Sequence, residues 1–376
     1  MICRFALLLF AGLLLSASTA HAQSGPGGPE AVDTPIDART KAAVVESLAV
    51  KMQRFYIFPE KANELAKSLR KRLAAKEYDR ITSSREFADS LLAHTQAVTH
   101  DLHTRVQYRA DPFPKQLDNG PPPAEEIARA LEDERRRNYG FEKVQRLAGN
   151  VGYLDLRGFS GFPEAIPTAI AAMNFLGNTD AVIFDLRRNG GGDPAMIQML
   201  LTWFIEPGDR LHINDFFERE GNRTVQFYTV PYVPGPRLFG KPLYVLISPR
   251  TGSAAEEFAY DVQTHKLGTL IGATTAGAAN PGGQFPLSDH LAAFIATGRA
   301  INPITNTNWE GTGVKPDQPT PPHEAIKEAH IAALKKLQAA AMGEQVKAAL
   351  TRAMDQAQKT TLDPIEDFVR PTRRKN

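Results

Sequence analysis

The chain has 376 residues, of which 42% are hydrophobic, and carries 44 Lys plus Arg against 42 Asp plus Glu. This near balance gives neither the basic footprint of a nucleic-acid binder nor an attraction to anionic membranes. Its single cysteine is Cys3, so the rest of the chain excludes a thiol nucleophile, a disulfide framework and a cysteine-ligated metal.

The first 22 residues read as a secretory signal peptide: a basic Arg4, an apolar run from Phe5 to Ala17, and "AHA" ending at Ala22, the small-x-small pattern of a cleavage site. The apolar core falls short of the roughly 18 residues that a membrane span needs, and no later stretch approaches that length. An exported protein, periplasmic or extracellular, with no membrane span in its mature chain, is therefore expected. Its length suits more than one domain.

Residues 30–110 form a helical N-terminal domain in this reading. Leu65, Leu69 and Leu73 recur at helical spacing, and Phe87, Leu91 and Val98 follow a capping-box start at Ser83 and Glu86. The segment "DPFPKQLDNGPPP", 111–123, is too rich in Pro and Gly for a helix or central strand and reads as a linker. A charged helical stretch, "AEEIARALEDERRRN", opens the next domain, 124–320. There the short apolar runs "VGYLDL" (151–156), "AVIFDL" (181–186), "PLYVLIS" (242–248) and "TLIG" (269–272) read as buried strands. Helical "PEAIPTAIAAMNFL" and "EEFAYDVQTH" lie between them, so an α/β layered domain is expected. A C-terminal helical extension over 321–358 and a flexible basic tail over 359–376 complete the chain.

Chemistry concentrates at three places. In "AVIFDLRRNGGGDPA" a strand runs into Gly190, Gly191 and Gly192 ahead of a helix. Glycines there permit either a simple tight turn or an anion site made of exposed amides. The spacing fits neither nucleotide-loop pattern. In "RTGSAAEEF", Ser253 follows a strand and precedes a helix. With Glu256 three residues on it makes an ordinary capping box, yet it also occupies the place where α/β proteins put a reactive group. A serine nucleophile needs a base. His265 and Lys266 lie on the helix that Ser253 begins, roughly 18 to 20 Å along it at 1.5 Å per residue, and cannot serve. Elsewhere "VTHDLHTRVQY" offers His103 at an element junction, while His100 with His103 is a weak metal pair that lacks further ligands. The irregular "INPITNTNWEGTGVKPD" carries Glu310, able to orient a histidine or to sit as a surface carboxylate.

Together these segments resemble the C-terminal-processing peptidase and tricorn protease family of serine peptidases, in its branch related to interphotoreceptor retinoid-binding protein. The resemblance runs in order through "FYIFPEKANELAKSL", "HDLHTRV", "NVGYLDLRGF", "DLRRNGGG", "SAAEEFAYDVQ", "GTLIGATTAGAANPGG" and "GRAINPITNTNWEGTGVKPD". It implies a Clp protease/crotonase-like α/β core with a helical N-terminal domain and Ser253 as nucleophile. It also implies an oxyanion hole from the amide of Ala254 and that of Gly190 or Gly191. Ser-Lys members carry a lysine in a "TFGKG"-like segment; the matching "TAGAA" puts Ala278 there, so the resemblance implies the tricorn-like alternative, with His103 as base and Glu310 behind it. Leu102 stands where tricorn has a serine just before its histidine. The interval from His103 to Val151 is too short for the PDZ module of many relatives.

The expected activity is hydrolysis of a peptide or unfolded-protein substrate through an acyl-enzyme, with no metal and no organic cofactor. The alternatives are a non-catalytic carrier of retinoid- or fatty-acid-like ligands on the same fold, and thioester chemistry at the oxyanion loop, which a secretory signal disfavours.

Overall fold

The structure is a computed structural model that describes residues 33–113 and 123–368. The expected signal peptide, most of the expected linker and the last eight residues lie outside them. In chain order the described residues form α1 (Ala38–Phe55), α2 (Pro59–Ala74), α3 (Ser84–Thr99), β1 (Arg105–Tyr108), α4 (Ala124–Arg136), β2 (Phe141–Leu147), β3 (Val151–Leu156), α5 (Ile166–Leu176), β4 (Ala181–Asp185) and α6 (Pro194–Thr202). They continue through β5 (His212–Glu218), β6 (Arg223–Tyr228), β7 (Leu243–Ile247), α7 (Ala254–Thr264), β8 (Thr269–Gly272), β9 (Gly282–Pro286), β10 (Leu291–Ala296), β11 (Gly298–Ile301), β12 (Gln318–Pro319), α8 (Ala325–Ala340) and α9 (Glu344–Ala357). None of the described helices is long and apolar enough to cross a membrane.

The chain divides into two units. The first holds the described residues up to 128 together with 219–221 and 281–298. Its helices follow the expected pattern: Leu65, Leu69, Phe87 and Leu91 are fully buried, and the last member of each stripe, Leu73 and Val98, is half-buried. Ser83 caps α3 by accepting from the Glu86 N–H at 2.9 Å. Residues 281–298, inside the expected 124–320 domain, group instead with the N-terminal unit. β10 pairs antiparallel with both β1 and β9, and these ladders tie the segment to the N-terminal unit.

The second unit is built on a six-stranded sheet of order β12-β8-β7-β4-β3-β2, parallel except for the antiparallel edge pair β2 and β3. Its central strands read as unbroken apolar runs because both faces are covered. In β4, Val182 and Phe184 point into a core shared with α5, α6 and α7, while Ala181 and Ile183 point into a second core shared with α8 and α9. A separate sheet of order β11-β5-β6 flanks this arrangement within the unit. The expected flexible tail starts too early: residues 365–368 form a short 3-10 turn and Phe368 is 3% exposed. The Phe368 ring lies against the guanidinium groups of Arg187 and Arg188, at 4.6 and 5.7 Å from its centroid.

Candidate active site

Strands β4 and β7 are adjacent and parallel, so the loops leaving their carboxyl ends emerge side by side. The first loop, 186–193, carries the three glycines. Asn189 shapes it, donating from Nδ2 to the Leu156 carbonyl at 2.9 Å and accepting from the Gly191 N–H at 2.9 Å. Gly191 has φ +116, and a Cβ there would lie 2.8 Å from Ser253 Cβ and 3.0 Å from the Ala254 nitrogen. Gly192, at φ +141, leaves even less room: its Cβ would run into the Phe159 carbonyl. Asp193 then caps α6, accepting from the Ala195 N–H at 2.8 Å.

The second loop, 248–252, is locked to the first by side-chain hydroxyls. Ser248 donates to the Arg187 carbonyl at 2.5 Å, Thr251 donates to the Leu186 carbonyl at 2.8 Å, and the Gly252 N–H reaches the Asn189 carbonyl at 3.1 Å. Ser253 follows at φ 53, ψ −123, a backbone conformation that L residues other than glycine adopt only where the surroundings impose it. It lies at the N-terminus of α7, whose dipole favours negative charge beside it. Among the described residues nothing accepts from the Gly190 N–H or the Ala254 N–H, whereas the Gly191 N–H is committed to Asn189.

Glu256 is fully buried and does more than cap. Its Oε2 accepts from the Ser253 N–H at 2.9 Å and the Ala278 N–H at 3.0 Å; its Oε1 accepts from Thr275 Oγ1 and the Gly277 N–H, both at 2.5 Å. Burial pushes the carboxyl up to about 7, against the downward pull of these four donors. Glu310 continues the row, accepting from the Ala279 N–H at 2.6 Å and the Asn280 N–H at 3.1 Å. With the Ala276 N–H bonded to the Thr251 carbonyl, every amide from 276 to 280 is held. Ala278 is thus a fixed point of this loop, its carbonyl accepting from Trp309 Nε1 at 3.0 Å.

His103 belongs to the first unit. α3 ends at His100 in the left-handed conformation, and Asp101 then accepts from the His103 and Thr104 N–H groups at 2.9 and 3.1 Å while Tyr56 donates to its other oxygen at 3.2 Å. This buried Asx-type turn sets the imidazole just ahead of β1, its ring 5.9 Å from that of Phe294. Two supporting residues escaped the sequence reading, Asn189 and Asp101. The signal for each was a short polar side chain next to a tight backbone turn.

Farther along α7, Glu257 and Asp261 are also buried, and Glu257 Oε1 and Asp261 Oδ2 have no hydrogen-bond partner among the described residues. Burial raises both carboxyls. The negative charge of Glu257 adds to the rise at Asp261, and that of Asp193 to the rise at Glu257. Among the described residues there is no group of three or more His, Cys, Asp or Glu placed to hold a metal ion.

The model of peptidase family S41 matches residues 150–320, and that of the N-terminal domain of Peptidase S41 in eukaryotic IRBP matches residues 37–137. The chain is 26% identical over 212 residues to carboxyl-terminal-processing peptidase 1, chloroplastic, of Arabidopsis thaliana, covering 56% of this chain and 42% of that protein. It is 28% identical over 185 residues to a carboxy-terminal-processing protease of Bartonella bacilliformis, covering 47% and 41%. The chain thus matches about two fifths of the length of these relatives. A crystal structure of a putative peptidase from Parabacteroides merdae superposes with a TM-score of 0.55 at 18% identity, over 82% of this chain and all of that one, a likeness of fold.

Proposed function

Because the chain belongs to peptidase family S41, we propose that it is a serine peptidase working through an acyl-enzyme on peptide or unfolded-protein substrates. The observation that carries this reading is Ser253 itself, held at φ 53, ψ −123 on a strand-to-helix turn beside a glycine loop. An ordinary helix cap has no need of that conformation, whereas it lifts a nucleophile clear of its own helix.

Ser253 Oγ attacks the substrate carbonyl carbon and its proton passes to His103. The amides of Gly190 and Ala254 bind the oxyanion of the tetrahedral intermediate. When the C–N bond breaks, His103 returns the proton to the leaving amine; water then cleaves the ester by the same steps. In this reading Gly191 contributes closeness rather than an amide, and Glu310 orients the base as well as holding the 279–280 amides. The printed names of the relatives point to cleavage near a carboxyl terminus, and the expected leader to work outside the cytoplasm.

Hydrolysis of an unfolded protein substrate, followed by the appearance of new N-termini, tests the reading: wild type cleaves and Ser253→Ala does not. The match of residues 37–137 to an IRBP domain favours one rival, an apolar-ligand carrier. Saturable retinoid or fatty-acid binding with no cleavage would establish it.

A further inference from the structure

The last described segment of the chain lies against the back of the oxyanion loop. Arg187 is fully buried, and its guanidinium donates to both oxygens of Asp185, at 2.8 and 2.6 Å, and to the Pro322 carbonyl at 2.5 Å. It also pairs with Asp363 at 2.8 Å and lies 4.6 Å from the ring centroid of Phe368. Arg188 pairs with Asp367 at 3.2 Å and Asp155 at 3.3 Å, 5.7 Å from the same ring. Arg250, on the other loop, donates to the Asp367 carbonyl at 2.7 Å.

Residues 363–368 therefore touch both loops of the site. Arg187 and Arg188 stand three and two residues ahead of Gly190; Arg250 stands three ahead of Ser253. Two adjacent arginines repel each other, and Asp185 and Asp155 neutralise them from within the sheet. Asp363, Asp367 and the face of Phe368 supply the remaining compensation. The ring adds one face that both guanidinium groups share, which limits their freedom to swing.

We propose that residues 363–368 are a C-terminal strap that positions the oxyanion loop, with Phe368 and Asp367 as positioning residues that act on Gly190 through Arg187 and Arg188. The strap rests on the peptidase reading for its consequence and on geometry alone for its existence. A loop displaced by a fraction of an ångström loses transition-state binding more than substrate binding.

The test uses the full chain in three variants: Phe368→Ala, Asp367→Asn and, as the conservative control, Phe368→Tyr. Two quantities are read: deuterium exchange of residues 186–193, which requires no catalysis, and the rate of fluorophosphonate labelling against probe concentration. For Phe368→Ala the expected result is faster exchange confined to 186–193 and a maximal labelling rate about tenfold lower, with half-saturation within about twofold of wild type. Asp367→Asn moves both the same way by less, and Phe368→Tyr restores them. Exchange in 186–193 unchanged in both Phe368→Ala and Asp367→Asn overturns the strap, as does a rise spread over the whole chain. If Phe368→Ala does not fold, Asp367→Asn decides. A wild-type protein that takes no label defeats the peptidase reading instead, and the exchange data then judge the strap by themselves.

Discussion

The backbone N–H of Ser253 donates to Glu256 Oε2 at 2.9 Å, and through the same carboxylate the serine is joined to the amides of Gly277 and Ala278. One buried side chain thus fixes both the proposed nucleophile and the 276–280 loop.

Glu256→Gln turns one of the two accepting oxygens into an amide donor. Either orientation leaves two of the four donors facing an NH2 group, so a loss of stability of about 3 kcal/mol is expected. The folded fraction should also label more slowly at Ser253. Urea unfolding beside labelling measures both; unchanged stability would mean that this carboxylate does not hold the turn.

Gly191→Ala places a Cβ at φ +116, 2.8 Å from Ser253 Cβ and 2.9 Å from the Gly252 carbonyl oxygen. Neither contact can be relieved without moving the nucleophile turn. The variant is expected to lose labelling by about 100-fold while keeping its secondary structure by circular dichroism. Labelling at the wild-type rate would show that the loop and the turn are not rigidly matched.

The buried acids of α7 give stability a pH slope. Glu256, Glu257 and Asp261 all have folded-state values raised above their ordinary ones, chiefly by burial. The native state therefore keeps protons that the unfolded chain has released. Their stabilisation is complete below the unfolded carboxyl range, about pH 4, and is lost as pH rises toward 7 and beyond. Asp261→Asn cannot ionise, so its melting temperature should fall less than that of the wild type between about pH 5 and about pH 8, across the upper part of that window. Parallel pH profiles for the two proteins would contradict the assignment.

His103→Ala should lower the labelling rate by about 10⁴ or more, the scale on which loss of a triad member is felt. Glu310→Gln should cost less in rate. It should weaken the loop only slightly, because the Ala279 and Asn280 N–H groups both donate to Oε2, whose place the amide oxygen can take as a neutral acceptor. Equal labelling by His103→Ala and wild type would remove His103 from the chemistry.

The parallel strands were legible because burial on two faces writes them as continuous apolar runs: 151–156, 243–247 and 269–272 coincide with β3, β7 and β8 or fall within the expected segments. The junctions at Gly190 and Ser253 were legible for the same reason, as each follows such a run. Strands β2, β5, β6, β9 and β10 were not. β2 is an edge strand with only Phe141 buried, and β9 gains its place by pairing across the chain rather than from its own composition. Glu256 was read as support for a helix start. Its bonds to Thr275, Gly277 and Ala278 depend on a loop some 20 residues away that spacing cannot reveal. The strap was hidden because a lone Phe368 among charged residues carries no periodic signal.

The most direct test of the account is mass spectrometry of the protein after fluorophosphonate treatment. The account predicts one adduct per chain, on the peptide containing Ser253, and none in Ser253→Ala. Absence of any adduct from the folded wild-type protein, or an adduct that persists in Ser253→Ala, would contradict it.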